Sequence, residues 1–175
     1  MKLKFSIFLI SCLLFIAGIG FAQHASLRNE DALKYVDPYI GSDYHGHVFV
    51  GTNVPYGMIQ LGPSNIHKGW DWCSGYHYSD SILIGFSHTH LSGTGCTDLG
   101  DILIMPLNEI RTPRGNQDDI QGGYASKYSH DNEIVRPEYY SLLVDRYGIK
   151  AELTTTDRVG FHRYTYPEAN QPQYL

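Results

Sequence analysis

The sequence predicts an all-β fold, an antiparallel β-sandwich, on three observations. Short apolar runs recur along the chain, each bounded by Gly, Pro, Ser or Asn, the punctuation of strands joined by turns. One run alternates strictly: Ile149, Ala151 and Leu153 against Lys150, Glu152 and Thr154, the period of a half-buried strand. And no segment carries a helical apolar stripe of any length, so strands rather than helices must bury the core.

Taken in order, residues 1–22 are not part of that fold. Lys2 and Lys4 precede an apolar run from Phe5 to Ile19, and Gly20-Phe21-Ala22 supplies a small-residue cleavage site before Gln23. This is the pattern of a secretory signal peptide; the run is short for a membrane span. Leu9-Ile10-Ser11-Cys12 resembles a lipoprotein box, but apolar residues continue well past Cys12. The expected product is secreted or periplasmic, with a single domain over residues 23–175.

Within that domain, Ser26 to Tyr35 reads as a short helix capped by Ser26. Strands are expected at Gly57 to Leu61, Ser81 to Phe86 and Asp101 to Met105. Tyr139 to Asp145 and the alternating run after it form a hairpin across Arg146-Tyr147-Gly148. Arg158 to Tyr166 supplies the next strand. Residues 107–138 are polar and poor in apolar side chains, so they are expected to be a long surface loop with at most one short strand. Gln173-Tyr174-Leu175 looks like a strand just beginning, which suggests a fragment of a longer protein.

The 175 residues carry a formal charge of -5 and no basic run, which argues against nucleic acid as a partner. Outside the signal segment only Cys73 and Cys96 remain. An oxidising compartment would let them pair; two separately buried thiols are the alternative.

The chemistry is concentrated in one stretch, 69-GWDWCSGYHYSDSILIGFSHTHLSGTGCTDLGDILIMP-106. Trp70 and Trp72 would share a face if extended, and an exposed indole offers a flat platform for a sugar ring; core packing is the ordinary fate of tryptophan. Asp71, His77 and Asn65 are near enough in sequence to bind hydroxyls. His88 and His90 would also share a face on a strand. Such a pair can ligate zinc, with Cys96, Asp98 or Asp101 completing a hydrolase-type site, or it can hydrogen-bond substrate or its own loops. Asp98 and Asp101 are a candidate acid and base pair or simple turn residues. Gly93 and Gly95 lack the strand-turn-helix setting of a phosphate loop.

This stretch, together with 36-VDPYIGSDYHGHVFVGTNVPYGMIQLGPSN-65, 137-PEYYSLL-143 and 149-IKAELTTTDRVGFHRYTYP-167, resembles the N-terminal domain of glycoside hydrolase family 92. The motifs are long and in the family's order, with one departure: Val50 stands where the family usually has proline before the glycine. The resemblance implies a two-domain enzyme, a β-sandwich followed by an (α/α)6 barrel that lies beyond residue 175. It implies calcium-dependent, exo-acting, inverting hydrolysis of α-mannosides, with the glutamate acid, aspartate base and most calcium ligands in the barrel. No catalytic residue and no metal ligand is therefore assigned to this chain, which alone is expected to be inactive. What it would supply are substrate-pocket loops: Trp70 first, then Asp71, Cys73, His77, His88, His90, Gly93 and Thr94. Its partners would be α-mannoside glycans and its own barrel. A free-standing carbohydrate-binding module is the competing reading.

Overall fold

A computed structural model describes residues 32–93, 95 and 100–175. The signal segment, Cys12, the expected helix start at Ser26, and Thr94, Cys96 and Asp98 lie outside the described residues. The chain divides into two units, Met1–Val36 and Asp37–Leu175. In the described end of the first, residues 32–33 are helical, in line with the expected helix, and lead into a turn in which Tyr35 N–H donates to Ala32 C=O at 3.1 Å. All of the site discussed below belongs to the second.

That second unit is the expected antiparallel sandwich. One sheet has the order β1 (Thr52–Asn53), β2 (Gln60–Asn65), β3 (Ile82–Ser87), β4 (Ser126–Lys127). The other runs β5 (Glu133–Arg136), β6 (Tyr139–Val144), β7 (Ile149–Thr155), β8 (Gly160–Thr165). Every pairing is antiparallel. The main core lies between the sheets: Leu61, Leu83 and Phe86 from the first meet Tyr140, Leu142, Val144, Ile149, Ala151 and Leu153 from the second. Strand β3 is buried on both faces, because Ile82 and Ile84 pack with Ile66 and Ala125 in a second cluster. That explains why it reads as an unbroken apolar run rather than an alternating one.

Four expectations need correcting. The strand expected at Gly57 to Leu61 is instead Gln60–Asn65, through a Gly62-Pro63 pair that reads as a turn. Pro63 is tolerated because β1 pairs only with Gln60 and Leu61, so its missing N–H has no ladder partner to disappoint. Gly62 is required there: a Cβ would lie 2.1 Å from the Val50 carbonyl oxygen. The strand expected at Asp101 to Met105 shrinks to a single bridge between Ile104 and Phe86. The hairpin after β6 pairs Val144 with Ile149, which leaves a four-residue loop, Asp145 to Gly148, closed by Gly148 at φ 62°.

The last correction concerns residues 107–138, which contain two strands, β4 and β5, and a 3-10 turn at His130–Asn132. Polar composition concealed them because β5 buries a charge. Glu133 Oε1 accepts from Tyr140 Oη at 2.7 Å. Its Oε2 meets His130 Nδ1 at 2.6 Å, Tyr76 Oη at 3.2 Å and Tyr39 Oη at 3.4 Å. A buried carboxylate survives only when satisfied in this way. Burial, then the Glu133 charge, pushes the Tyr140 and Tyr39 phenols well above their ordinary value.

Candidate functional site

Gly69, at φ 125°, turns the chain into the 3-10 helix Trp70–Trp72. A 3-10 helix rotates about 120° per residue, so the two indoles diverge instead of sharing a face as an extended chain would place them. Trp72 turns inward. Its Nε1–H donates to Asp80 Oδ2 at 2.8 Å, its ring stacks on His77 at 4.2 Å, and Lys68 reaches over it to the same Asp80 oxygen. Trp70 stays 55 % exposed.

Around Trp70 the loop 41–49 delivers two imidazoles. The His47 ring meets Trp70 edge-on at 4.1 Å and the His45 ring tilts against it at 5.6 Å. Both turn a nitrogen to Asp71 Oδ1, His45 Nδ1 at 2.6 Å and His47 Nε2 at 3.4 Å. The His45 hydrogen bond, more than any other influence, holds the Asp71 carboxyl below its ordinary value. Gly93 N–H donates to the His47 carbonyl at 2.7 Å, and the Cys73 thiol donates to the Gly93 carbonyl at 3.5 Å. Trp70, Asp71, Cys73 and Gly93 are thus brought into one cluster. Cys73 is a buried free thiol.

His77, His90 and His88 are held by other contacts. His77 is buried and spends its ring on its own loops: Nε2 on the Tyr44 carbonyl at 3.1 Å, Nδ1 on Ser79 Oγ at 2.8 Å. His90 is buried between the Gln60 carbonyl, Ser64 Oγ and the Phe49 ring, and burial lowers its pKa. Gly75 makes room for it, since a Cβ there would sit 2.9 Å from the His90 ring. His88 does not share a face with His90, because β3 ends at Ser87. Its Nδ1 lies 3.0 Å from the Ile102 carbonyl and its Nε2 3.1 Å from Nε2 of His162 on β8. Burial, and then the His88 ring, lowers His162 to about 4. A zinc site of His88, His90 and Asp101 is therefore not assembled. A cavity of about 330 Å³ beside the cluster is lined by Asn65, Trp72, Cys73, Thr89, His90 and Arg114 among others.

The sequence reading missed His45, His47 and His162. The first two stand in 45-HGH-47, a second His-x-His run within a Gly-rich loop and as visible as the one at His88. His162 carried no local signal, because its partner is 74 residues away.

Calcium takes six to eight oxygen ligands, and among the described residues no group of three or more His, Cys, Asp or Glu side chains is placed to hold an ion.

Fold and loop cluster together define the class: an antiparallel β-sandwich whose loops gather an exposed indole, two imidazoles and a carboxylate. The glycosyl hydrolase family 92 N-terminal domain matches residues 35–175, and the chain belongs to that family. It is similar to the family GH92 α-mannosidase BT3965 from Bacteroides thetaiotaomicron, solved with and without mannoimidazole, at 45% identity and a TM-score of 0.75, over 79% of this chain. It is also similar to the inverting mannosidase BT2199 of the same organism, at 25% identity and TM-score 0.61 over 81% of this chain. An uncharacterized secreted glycosidase from Arthroderma benhamiae is 30% identical over 158 residues, 87% of this chain. The chain spans 18% of the BT3965 and BT2199 chains and 20% of the Arthroderma protein. Among the described residues no helix is long and apolar enough to cross a membrane.

Proposed function

We propose that this chain is the N-terminal domain of a secreted, exo-acting, inverting α-mannosidase that hydrolyses α-mannosides of N-glycans or mannans. The domain contributes loops to the substrate pocket and does not supply the acid or the base. The observation that carries this reading is the half-exposed Trp70 indole framed by His45, His47 and Asp71, in a chain of a family whose solved members include α-mannosidases. Secretion is supported by the charged and apolar N-terminal segment and by the secreted relative.

The chemistry divides accordingly. Inversion needs a general acid on the leaving oxygen and a general base on the opposite face, the two carboxyl groups about 6.5–9.5 Å apart with a water between. Asp71 is the carboxylate of this cluster, and one of its oxygens is already turned to two imidazoles. It orients His45 and His47; it is not left free to shuttle a proton. Trp70 offers an apolar face to a sugar ring, and the imidazoles offer donors and acceptors to its hydroxyls. Acid, base and calcium ligands belong to a following (α/α)6 domain, where calcium would bind sugar hydroxyls and assist ring distortion.

The test uses the intact protein. With α-1,2-, α-1,3- and α-1,4-linked mannobiose, proton NMR should show β-mannose as the first product, and a calcium chelator should abolish its release. Saturable mannoside binding without turnover would instead make the protein a carbohydrate-binding module. Release of α-mannose first would exclude inversion.

A further inference from the structure

The two sheets touch through a pair of histidines that the sugar-facing cluster does not use. His88 follows β3 in one sheet and His162 stands on β8 in the other, with their Nε2 atoms 3.1 Å apart and ring centroids at 4.8 Å. The Ile102 carbonyl has only lone pairs to offer, so His88 Nδ1, 3.0 Å away, must carry the hydrogen. In the neutral ring that leaves Nε2 with its lone pair. His162 must then present its own Nε2–H to His88 and accept from the Tyr164 hydroxyl at Nδ1, where the separation is 2.7 Å.

From this arrangement we infer that His88 and His162 form a two-imidazole site for a borderline divalent cation of the zinc, copper or cobalt class, distinct from any calcium centre. Two imidazole nitrogens each about 2.0–2.1 Å from a common tetrahedral ion stand roughly 3.3 Å apart, close to the 3.1 Å between these two atoms, so the rings need mainly to turn until both lone pairs meet on the ion. The second shell is already in place. A histidine ligand usually gives its other ring N–H to a carbonyl, a carboxylate or water, and His88 does so to Ile102. His162 reaches the same state by moving its hydrogen from Nε2 to Nδ1, where Tyr164 turns from donor to acceptor; no net proton is released. Backbone space is reserved as well: a Cβ on Gly160 would lie 2.8 Å from His88 Cδ2 and 3.0 Å from its Nε2. His88 is partly exposed, which gives an ion a way in, and water would fill the remaining positions. Imidazole donors select these metals over calcium, which prefers oxygen.

The test is made on the intact, chelator-treated protein and reads the metal, not mannoside hydrolysis. Cobalt(II) titration should show one site with nitrogen-ligand absorption bands, displaced by zinc. Pulsed EPR with copper(II) should show two imidazoles bound. His162→Gln should leave one imidazole and weaken uptake at least tenfold. Gly160→Ala, which keeps both ligands but crowds the His88 ring, should weaken it as well. Thermal unfolding of each variant shows whether it is folded. No cobalt uptake at submillimolar ion, or uptake unchanged in folded His88→Gln and His162→Gln proteins, would overturn the site and leave the pair as an inter-sheet hydrogen bond. Because the readout is independent of turnover, such a failure would not touch the mannosidase reading.

Discussion

Trp70 is kept out of the core by one local fact, the 3-10 turn that Gly69 starts. Two residues on, Trp72 is tied down by Asp80, His77 and Lys68. The same residue type therefore has two fates, and they predict different mutants. On the proposed mannosidase reading, Trp70→Ala in the intact protein should lower kcat/KM for mannosides by about tenfold or more, equivalent to about 1.4 kcal/mol of transition-state binding, while the melting temperature moves by only a few degrees. Steady-state kinetics and a thermal scan of one variant check both halves. An unchanged kcat/KM would remove Trp70 from the pocket. Trp70 is legible in the sequence because an indole among Gly69, Ser74, Gly75 and short polar residues suits a sugar ring. What the sequence could not show is that His45 and His47, more than twenty residues upstream, turn toward the same carboxylate.

At the scale of strands, two carboxylates illustrate opposite environments. Glu133 on β5 is buried among Tyr39, Tyr76, Tyr140 and His130. Removing it leaves those donors unsatisfied, so Glu133→Ala should cost about 3–5 kcal/mol, read as a fall in the urea midpoint at constant slope. A cost under about 1 kcal/mol would mean that water takes over the carboxylate's place. Glu152 on β7 is partly buried but paired with groups at the surface, bound chiefly by Arg163 across the β7–β8 pair and also by Tyr139 and Lys150, and is held down at about 2. A depressed carboxylate pKa stabilises the fold above the unfolded value and ceases to do so as pH falls through the folded one. The window here runs from about pH 4.5 down to about 2. Because Arg163 is exposed, the effect is small, about 0.2–1 kcal/mol. Urea midpoints of wild type and Glu152→Gln should converge across that window as pH falls; parallel curves would deny the pair any role. The strands that were legible, β3, β6, β7 and β8, announce themselves by apolar runs or alternation. Those that were not, β4 and β5, are short or bury polar atoms, and β2 passes through a Gly-Pro pair that normally marks a turn.

For the molecule as a whole, the sheets hold together through Leu61, Leu83 and Phe86 against Leu142, Ile149 and Leu153. Leu142→Ala should therefore destabilise the domain by about 2–5 kcal/mol. Intrinsic fluorescence and far-UV circular dichroism should report one shared transition, since both sheets lose the same core. Two separate transitions would show that the sheets fold independently. The sequence by itself determined the β-sandwich class, the family and the places of β3, β6, β7 and β8, because strand periodicity and contiguous motifs are local and survive in one dimension. Tertiary structure alone decided which histidines meet. It sent His77 and His90 into the scaffold, set His45 and His47 on Asp71, and paired His88 with His162, because each of those contacts joins segments remote in sequence and depends on register and loop closure rather than on neighbouring residues.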